Sequence, residues 1–178
     1  MLRKYLLIAL VVAASRVPLP ASLEAQRPVT LNVAGGGSFP LARFRDVEST
    51  GWHALVGLGF HWLMQPIGLR LDVAHNRFTA VAAGPDQAVS SATLNFDYRL
   101  PMTNSPMSPY LITGAGAYRI ECTGTIDCGS ATRFGWNAGL GFRLIALRLH
   151  LFAESRFHAV NARSGNVRFV PVTLGLSF

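Results

Sequence analysis

Nine polar side chains of this sequence recur at spacings that let them share one surface: Arg70, Asp72, Asp97, Arg99, Arg143, Arg148, His150, Glu154 and Arg156. An arginine facing a carboxylate forms a fixed, often bidentate pair. Asp72, Asp97 and Glu154 are therefore expected to partner Arg70, Arg99, Arg143, Arg148 and Arg156. If that surface is an interior, pairing is obligatory, because an unpaired buried charge is very costly. A structural ion-pair plug is the expected use of the set. A proton or ion path is the functional alternative, and the excess of arginine over carboxylate leaves room for an anion.

Other chemistry is thinly represented. Cys122 and Cys128 have five residues between them and, in an oxidising compartment, are expected to form a disulfide closing a short loop. Two thiols without a nearby histidine are too few for a usual metal site. The histidines His53, His61, His75, His150 and His158 spread over three segments. His53 and His61 share a face but stand roughly 26 Å apart if extended. The chain contains no GxSxG, P-loop or HExxH pattern, and Gly35, Gly36 and Gly37 do not precede a helix. No catalytic residue, cofactor or metal ligand is assigned.

The elements that must position the ionic set follow from period-two alternation. Ala92, Leu94, Phe96, Tyr98 and Leu100 alternate with Thr93, Asn95, Asp97 and Arg99. Phe134, Trp136, Ala138, Leu140, Phe142 and Leu144 alternate with Gly135, Asn137, Gly139, Gly141 and Arg143. Val170, Val172, Leu174, Leu176 and Phe178 alternate with Pro171, Thr173, Gly175 and Ser177. Successive strand side chains point to opposite faces, so these segments read as strands. Residues 29–39, 52–62, 67–78, 110–119 and 147–158 fit more loosely, making eight strands in an all-β chain. The Gly-rich first and fifth have the least certain register, and no segment keeps a helical period.

Half of the 178 residues are hydrophobic but only 14% are charged, against about a quarter charged in soluble domains. A single continuous apolar run, 5–14, follows Arg3 and Lys4 and gives way to prolines and small residues. It is too short to span a bilayer as a helix and reads as a secretory signal peptide over 1–25, leaving a barrel domain at 26–178. Cleavage there takes the formal charge from +7 to +5 and removes the one lysine. The remaining positive charges are scattered, without the basic cluster that nucleic acid requires.

Alternation does not say which face is buried. Lipid outside and polar groups inside is favoured by the ionic set just described and by aromatics gathered near strand ends: Trp52, Phe60, Trp62, Tyr98, Tyr110, Tyr118, Phe134, Trp136 and Phe157. Long polar connections near 40–50, 79–88, 120–131 and 159–166 alternate with short ones near 63–66 and 145–146, a rule that the 101–109 connection breaks. Backbone groups in lipid must pair within the protein, so such a sheet closes into a barrel. The opposite arrangement, a soluble lipocalin-like carrier, would turn the Leu, Phe and Trp faces inward.

The ending from Phe169 to Phe178, an alternating strand with Val172, Leu174, Leu176 and Phe178 on one face, resembles the C-terminal insertion signal of small bacterial outer-membrane barrels of the OmpX/OmpA type. Pro109-Tyr110-Leu111 with Gly114-Ala115-Gly116, and Phe152-Ala153-Glu154-Ser155-Arg156-Phe157-His158, look like strands of the same barrels. The resemblance implies an eight-stranded antiparallel up-and-down barrel in the outer membrane. It also implies contact with outer-membrane lipid and lipopolysaccharide, insertion by the barrel-assembly machinery, and a monomer. His158-Ala159-Val160-Asn161-Ala162 is similar to the His-x-Ser-Asn-Ala segment of lipid A deacylase barrels, but Val160 stands where those enzymes carry serine, and valine has no nucleophilic oxygen. The expected role is structural or adhesive, through outer loops carrying Arg43, Arg45, Asp46, Glu48, Asp86, Asp127 and Arg163 around an unidentified extracellular ligand. A lipid A-modifying enzyme and a soluble carrier are the alternatives.

Overall fold

The computed structural model describes residues 28–62, 65–82, 84–102, 105, 107–123, 129–146, 149–161 and 166–178. Residues 1–27, and with them the expected signal peptide and its cleavage point, lie outside that set. The strands are β1 (Val29–Leu41), β2 (Gly51–His61), β3 (Ile67–Phe78), β4 (Asp86–Arg99), β5 (Met107–Thr123), β6 (Ser130–Ala146), β7 (Leu149–Val160) and β8 (Val167–Ser177). Each pairs antiparallel with its sequence neighbours, and β1 also pairs with β8, closing an up-and-down barrel.

The closing seam carries reciprocal backbone bonds between Leu31 and Phe178 (3.0 and 2.8 Å). It also sets a packing requirement. A Cβ added at Gly36 would run into the carbonyl of Val172 on β8, so a side chain there would force the first and last strands apart. The Gly35–Gly37 run lies in β1 because the seam needs the chains close, and both of its registers are continuous.

The strands keep the period-two pattern along most of their length, broken where Ala88 and Val89 of β4 and His158, Ala159 and Val160 of β7 are buried in succession, and the pattern is inverted relative to a soluble protein. Phe96, Leu140 and Leu174 are 48%, 53% and 68% exposed, whereas Asp97 is fully buried. The apolar faces point outward around the barrel and the polar faces point into the lumen. A soluble carrier with greasy walls inside is thereby excluded: its cavity-lining residues are on the wrong side. The exterior is a surface that hydrocarbon satisfies and water does not.

Three expectations need correction. The aromatic assignment fails at Tyr110 and Tyr118, which are buried inside the lumen. In β5 the even-numbered positions face inward, so Leu111 and its odd neighbours meet lipid instead. The helix-free expectation fails at α1 (Arg43–Val47), a single turn between β1 and β2. Ala42 adopts a positive φ of 52° that turns the chain over the barrel mouth. Finally, the interior is not polar throughout. Phe44 of α1, Phe78, Val89, Tyr118, Val160 and Phe169 form an apolar cluster at the loop-bearing end. This outer end lies opposite the inner end, where Phe178 pairs with Leu31.

Candidate functional site

The middle of the lumen is built from two dipeptide spacings. Arg70 and Asp72 are two apart on β3, and Glu154 and Arg156 are two apart on β7, so each pair faces inward. The strands are four places apart in the eight-stranded ring, on opposite walls, and run in the same direction. The order of charges is reversed between them, which sets cation against anion at both levels. Arg70 Nη2 donates to Glu154 Oε2 and Oε1 (2.8 and 3.0 Å), and Arg156 Nη2 donates to Asp72 Oδ2 (2.7 Å). Along each wall Arg70 Nε donates to Asp72 Oδ2 (3.0 Å) and Arg156 Nε to Glu154 Oε1. Two arginines and two carboxylates thus form a closed, formally neutral clasp across the barrel, all four almost fully buried.

Neutral groups complete the layer. The Tyr110 hydroxyl donates to Glu154 Oε2 (2.7 Å) and Asn95 Nδ2 to Asp72 Oδ2 (2.9 Å). Asn137 Nδ2 donates in turn to Asn95 Oδ1 (2.9 Å). Tyr110 reaches inward over Gly141, where a Cβ would collide with its ring. Multiple hydrogen bonds to each carboxylate are what a buried ion pair needs to offset its desolvation.

Above the clasp, the His53 ring Nδ1 lies 2.9 Å from Asn76 Oδ1, and the Ser38 hydroxyl donates to the same oxygen (3.0 Å). His158 is buried and stacked on Phe169 with ring centroids 4.8 Å apart, and its Nδ1 lies 2.9 Å from the Tyr118 hydroxyl. Val160 also faces the lumen and is fully buried. The position similar to a deacylase base therefore sits beneath the aromatic cluster, sealed from lipid, beside a hydrocarbon side chain. Among the described residues its Nδ1 meets the Tyr118 hydroxyl rather than a serine.

At the outer mouth the segment carrying α1 folds back as a lid. Phe44 stacks edge-on against Phe78 (4.9 Å), which packs on Phe169 (5.6 Å). Ser49 N donates to Thr79 O (2.8 Å) and Val81 N to Val47 O (3.0 Å), stapling the lid to the β3–β4 connection. Glu48, expected among the loop residues available to a ligand, is buried in this junction. Burial, reinforced by the nearby Asp86, pushes its carboxyl up to about 7.

Below the clasp lie Asp97, Arg99, Arg143 and His61. His61 Nε2 is 3.3 Å from Asp97 Oδ2 and 3.1 Å from Arg143 Nη1, and Arg143 Nη2 is 3.8 Å from Asp97. Arg99 forms no ion pair among the described residues. These groups border a cavity of about 680 Å³ at the inner end, which His150 also lines. Arg148, Cys128, Asp127 and Arg163 lie outside the described residues, and with Cys128 the expected disulfide. Of the C-terminal set, Val172, Leu174 and Phe178 are exposed on the outer surface and Leu176 is half-buried. Sequence reasoning missed Tyr110, Asn95, Asn137 and Phe44. The first three sit at inward parity, while Phe44 carried no periodic signal.

The chain is similar in fold to several solved outer-membrane barrels. Neisserial surface protein A matches with TM-score 0.66 and 18% identity, over 85% of this chain and 96% of that one. Ail, the attachment invasion locus protein of Yersinia pestis, gives 0.56 and 13%, over 84% and 97%; it was also solved with the heparin analogue sucrose octasulfate. The outer membrane enzyme PagL gives 0.54 and 14%, over 84% and 98%. No family model and no curated protein matches the sequence. The barrel has the architecture of the small eight-stranded outer-membrane proteins, and its apolar exterior belongs in that membrane.

Proposed function

We propose that this chain is a closed, non-catalytic outer-membrane anchor that displays a recognition surface at the cell face. The observation that carries the reading is the double closure of the lumen. The four-charge clasp bridges opposite walls, and the Phe44 lid covers the mouth above it. A barrel of this size has room for side chains rather than a channel, and here the clasp and the lid close it between the mouth and the inner cavity. What is left at the cell face to meet other molecules is the outer rim.

That rim is raised on one side. Ser130 pairs with Glu121 on β5, whereas β6 does not meet β7 until Gly135 and Val160, so the β5–β6 hairpin stands above its neighbour. Arg43, Arg45, Arg133 and Arg168 at this end form no ion pair among the described residues, which favours an anionic partner such as a sulfated glycan. The fold is shared with Ail, whose name and heparin-analogue complex point the same way, and with an enzyme, so fold alone does not decide between roles. In this reading the barrel is a monomer held by outer-membrane lipid and lipopolysaccharide, inserted by the barrel-assembly machinery.

The test combines a measurement on the refolded full chain with one on cells that display it. In planar bilayers it should show no steady conductance. Cells displaying it should adhere to immobilised heparin, and Arg43→Glu/Arg45→Glu/Arg168→Glu should lower that adhesion at least fivefold. A steady large conductance, or release of lipid A acyl chains abolished by His158→Ala, would replace this reading with a pore or an enzyme.

A further inference from the structure

The lumen carries one more described arginine than carboxylate, and the structure puts the surplus in one place. Arg70, Arg156, Asp72 and Glu154 neutralise one another in the clasp. Beneath it, Arg99 and Arg143 share a single carboxylate, Asp97, which Arg143 approaches only at 3.8 Å and which His61 also approaches. Among the described residues Arg99 Nε is buried with no hydrogen-bond partner, and so are one terminal nitrogen of Arg143, Nδ1 of the buried His61 and both oxygens of Asp97. Unsatisfied guanidinium donors are costly where water is scarce. All three side chains line the same inner cavity, whose walls add the Ser108 and Ser177 hydroxyls. Arg143 stacks over the Tyr110 ring at 5.1 Å, which places its head directly beneath the clasp. The clasp thus lies between this cavity and the outer mouth.

We infer that this inner cavity is a binding site for a small oxyanion-bearing molecule, a phosphate or a carboxylate, held between Arg99 and Arg143. Guanidinium forks match the planar edge of an oxyanion and fit a spherical halide poorly. The cavity volume exceeds that of a bare phosphate, and the apolar side chains Ile145 and Leu151 at its wall suit a ligand with an organic body. The site does not depend on the recognition role of the outer rim, since the clasp separates the two ends.

The experiment is a titration of the full chain, refolded in detergent micelles, with inorganic phosphate and separately with acetate. Sodium chloride holds the ionic strength constant. Binding is read from side-chain NMR shifts of arginine Nε–H groups and from the thermal unfolding midpoint. Phosphate, acetate or both should perturb the Arg99 and Arg143 signals and raise the midpoint. Arg99→Gln should weaken binding at least tenfold, whereas Arg119→Gln, on the exposed outer hairpin, should leave it unchanged. Which probe binds more tightly tells whether the natural head group is a phosphate or a carboxylate. Equal affinity in Arg99→Gln and the parent, or no response of the parent beyond that of chloride, would overturn the assignment. The response of the parent protein decides the matter even if the variant fails to fold.

Discussion

At the scale of single residues, the central feature is the complementarity of Arg70-x-Asp72 and Glu154-x-Arg156. Each spacing was visible as inward parity, and the opposite order of charges was equally visible. Their meeting was not, because it depends on β3 and β7 lying on opposite walls of a closed ring. Removing one member leaves its partners charged in a dry interior. Asp72→Asn or Arg156→Gln should therefore lower unfolding stability by about 3–5 kcal/mol, measured by urea denaturation in lipid vesicles. The double variant Asp72→Asn/Arg156→Gln should cost less than the two single losses added together, since it removes an anion and a cation at once. Additive losses would show that the pair is not coupled.

At the scale of elements, the lid joins a turn of helix to a strand edge through two backbone bonds and one apolar anchor. Its pH response follows from Glu48. The docked carboxyl titrates near 7 against an ordinary value of 4.5, so the closed lid holds a proton that the open one has lost between those values. Docking is then strongest below pH 4.5 and weakens as pH rises to about 7. After allowance for solvent screening the loss is about 2 kcal/mol, roughly 30-fold in the opening equilibrium. Hydrogen exchange of the Ser49 and Val81 amides, corrected for intrinsic rates, should show it, and Glu48→Gln should flatten the profile. A parent profile without this slope would mean the carboxyl is not buried when the lid is closed. The lid was illegible beforehand because five residues are too few to show a period, and Phe44 looks like any loop aromatic.

At the scale of the whole molecule, the inside-out arrangement has an optical consequence. Trp52, Trp62 and Trp136, the three tryptophans of the chain, are all exposed on the outer surface. Phe60 packs edge-on against Trp62 (5.2 Å) and Phe157 packs tilted against Trp136 (5.5 Å), in the outer-surface positions of interfacial aromatics. In vesicles of lipids brominated on their acyl chains, tryptophan fluorescence should fall by more than half relative to unbrominated vesicles. Emission indifferent to bromine would place the indoles away from hydrocarbon and undo the orientation.

Alternation along the chain by itself determined the strand number, the all-β class and the faces of the best-patterned strands, because parity is a local property of extended backbone. It also determined that arginines and carboxylates share a face. Closure decided the rest. Only in the closed ring do β3 and β7 oppose each other, do Tyr110 and Tyr118 turn inward, and does Phe44 find a mouth to cover. Those facts depend on contacts between residues as far apart as Asn32 and Ser177, 145 positions, set by the register of eight strands together, which no single segment encodes.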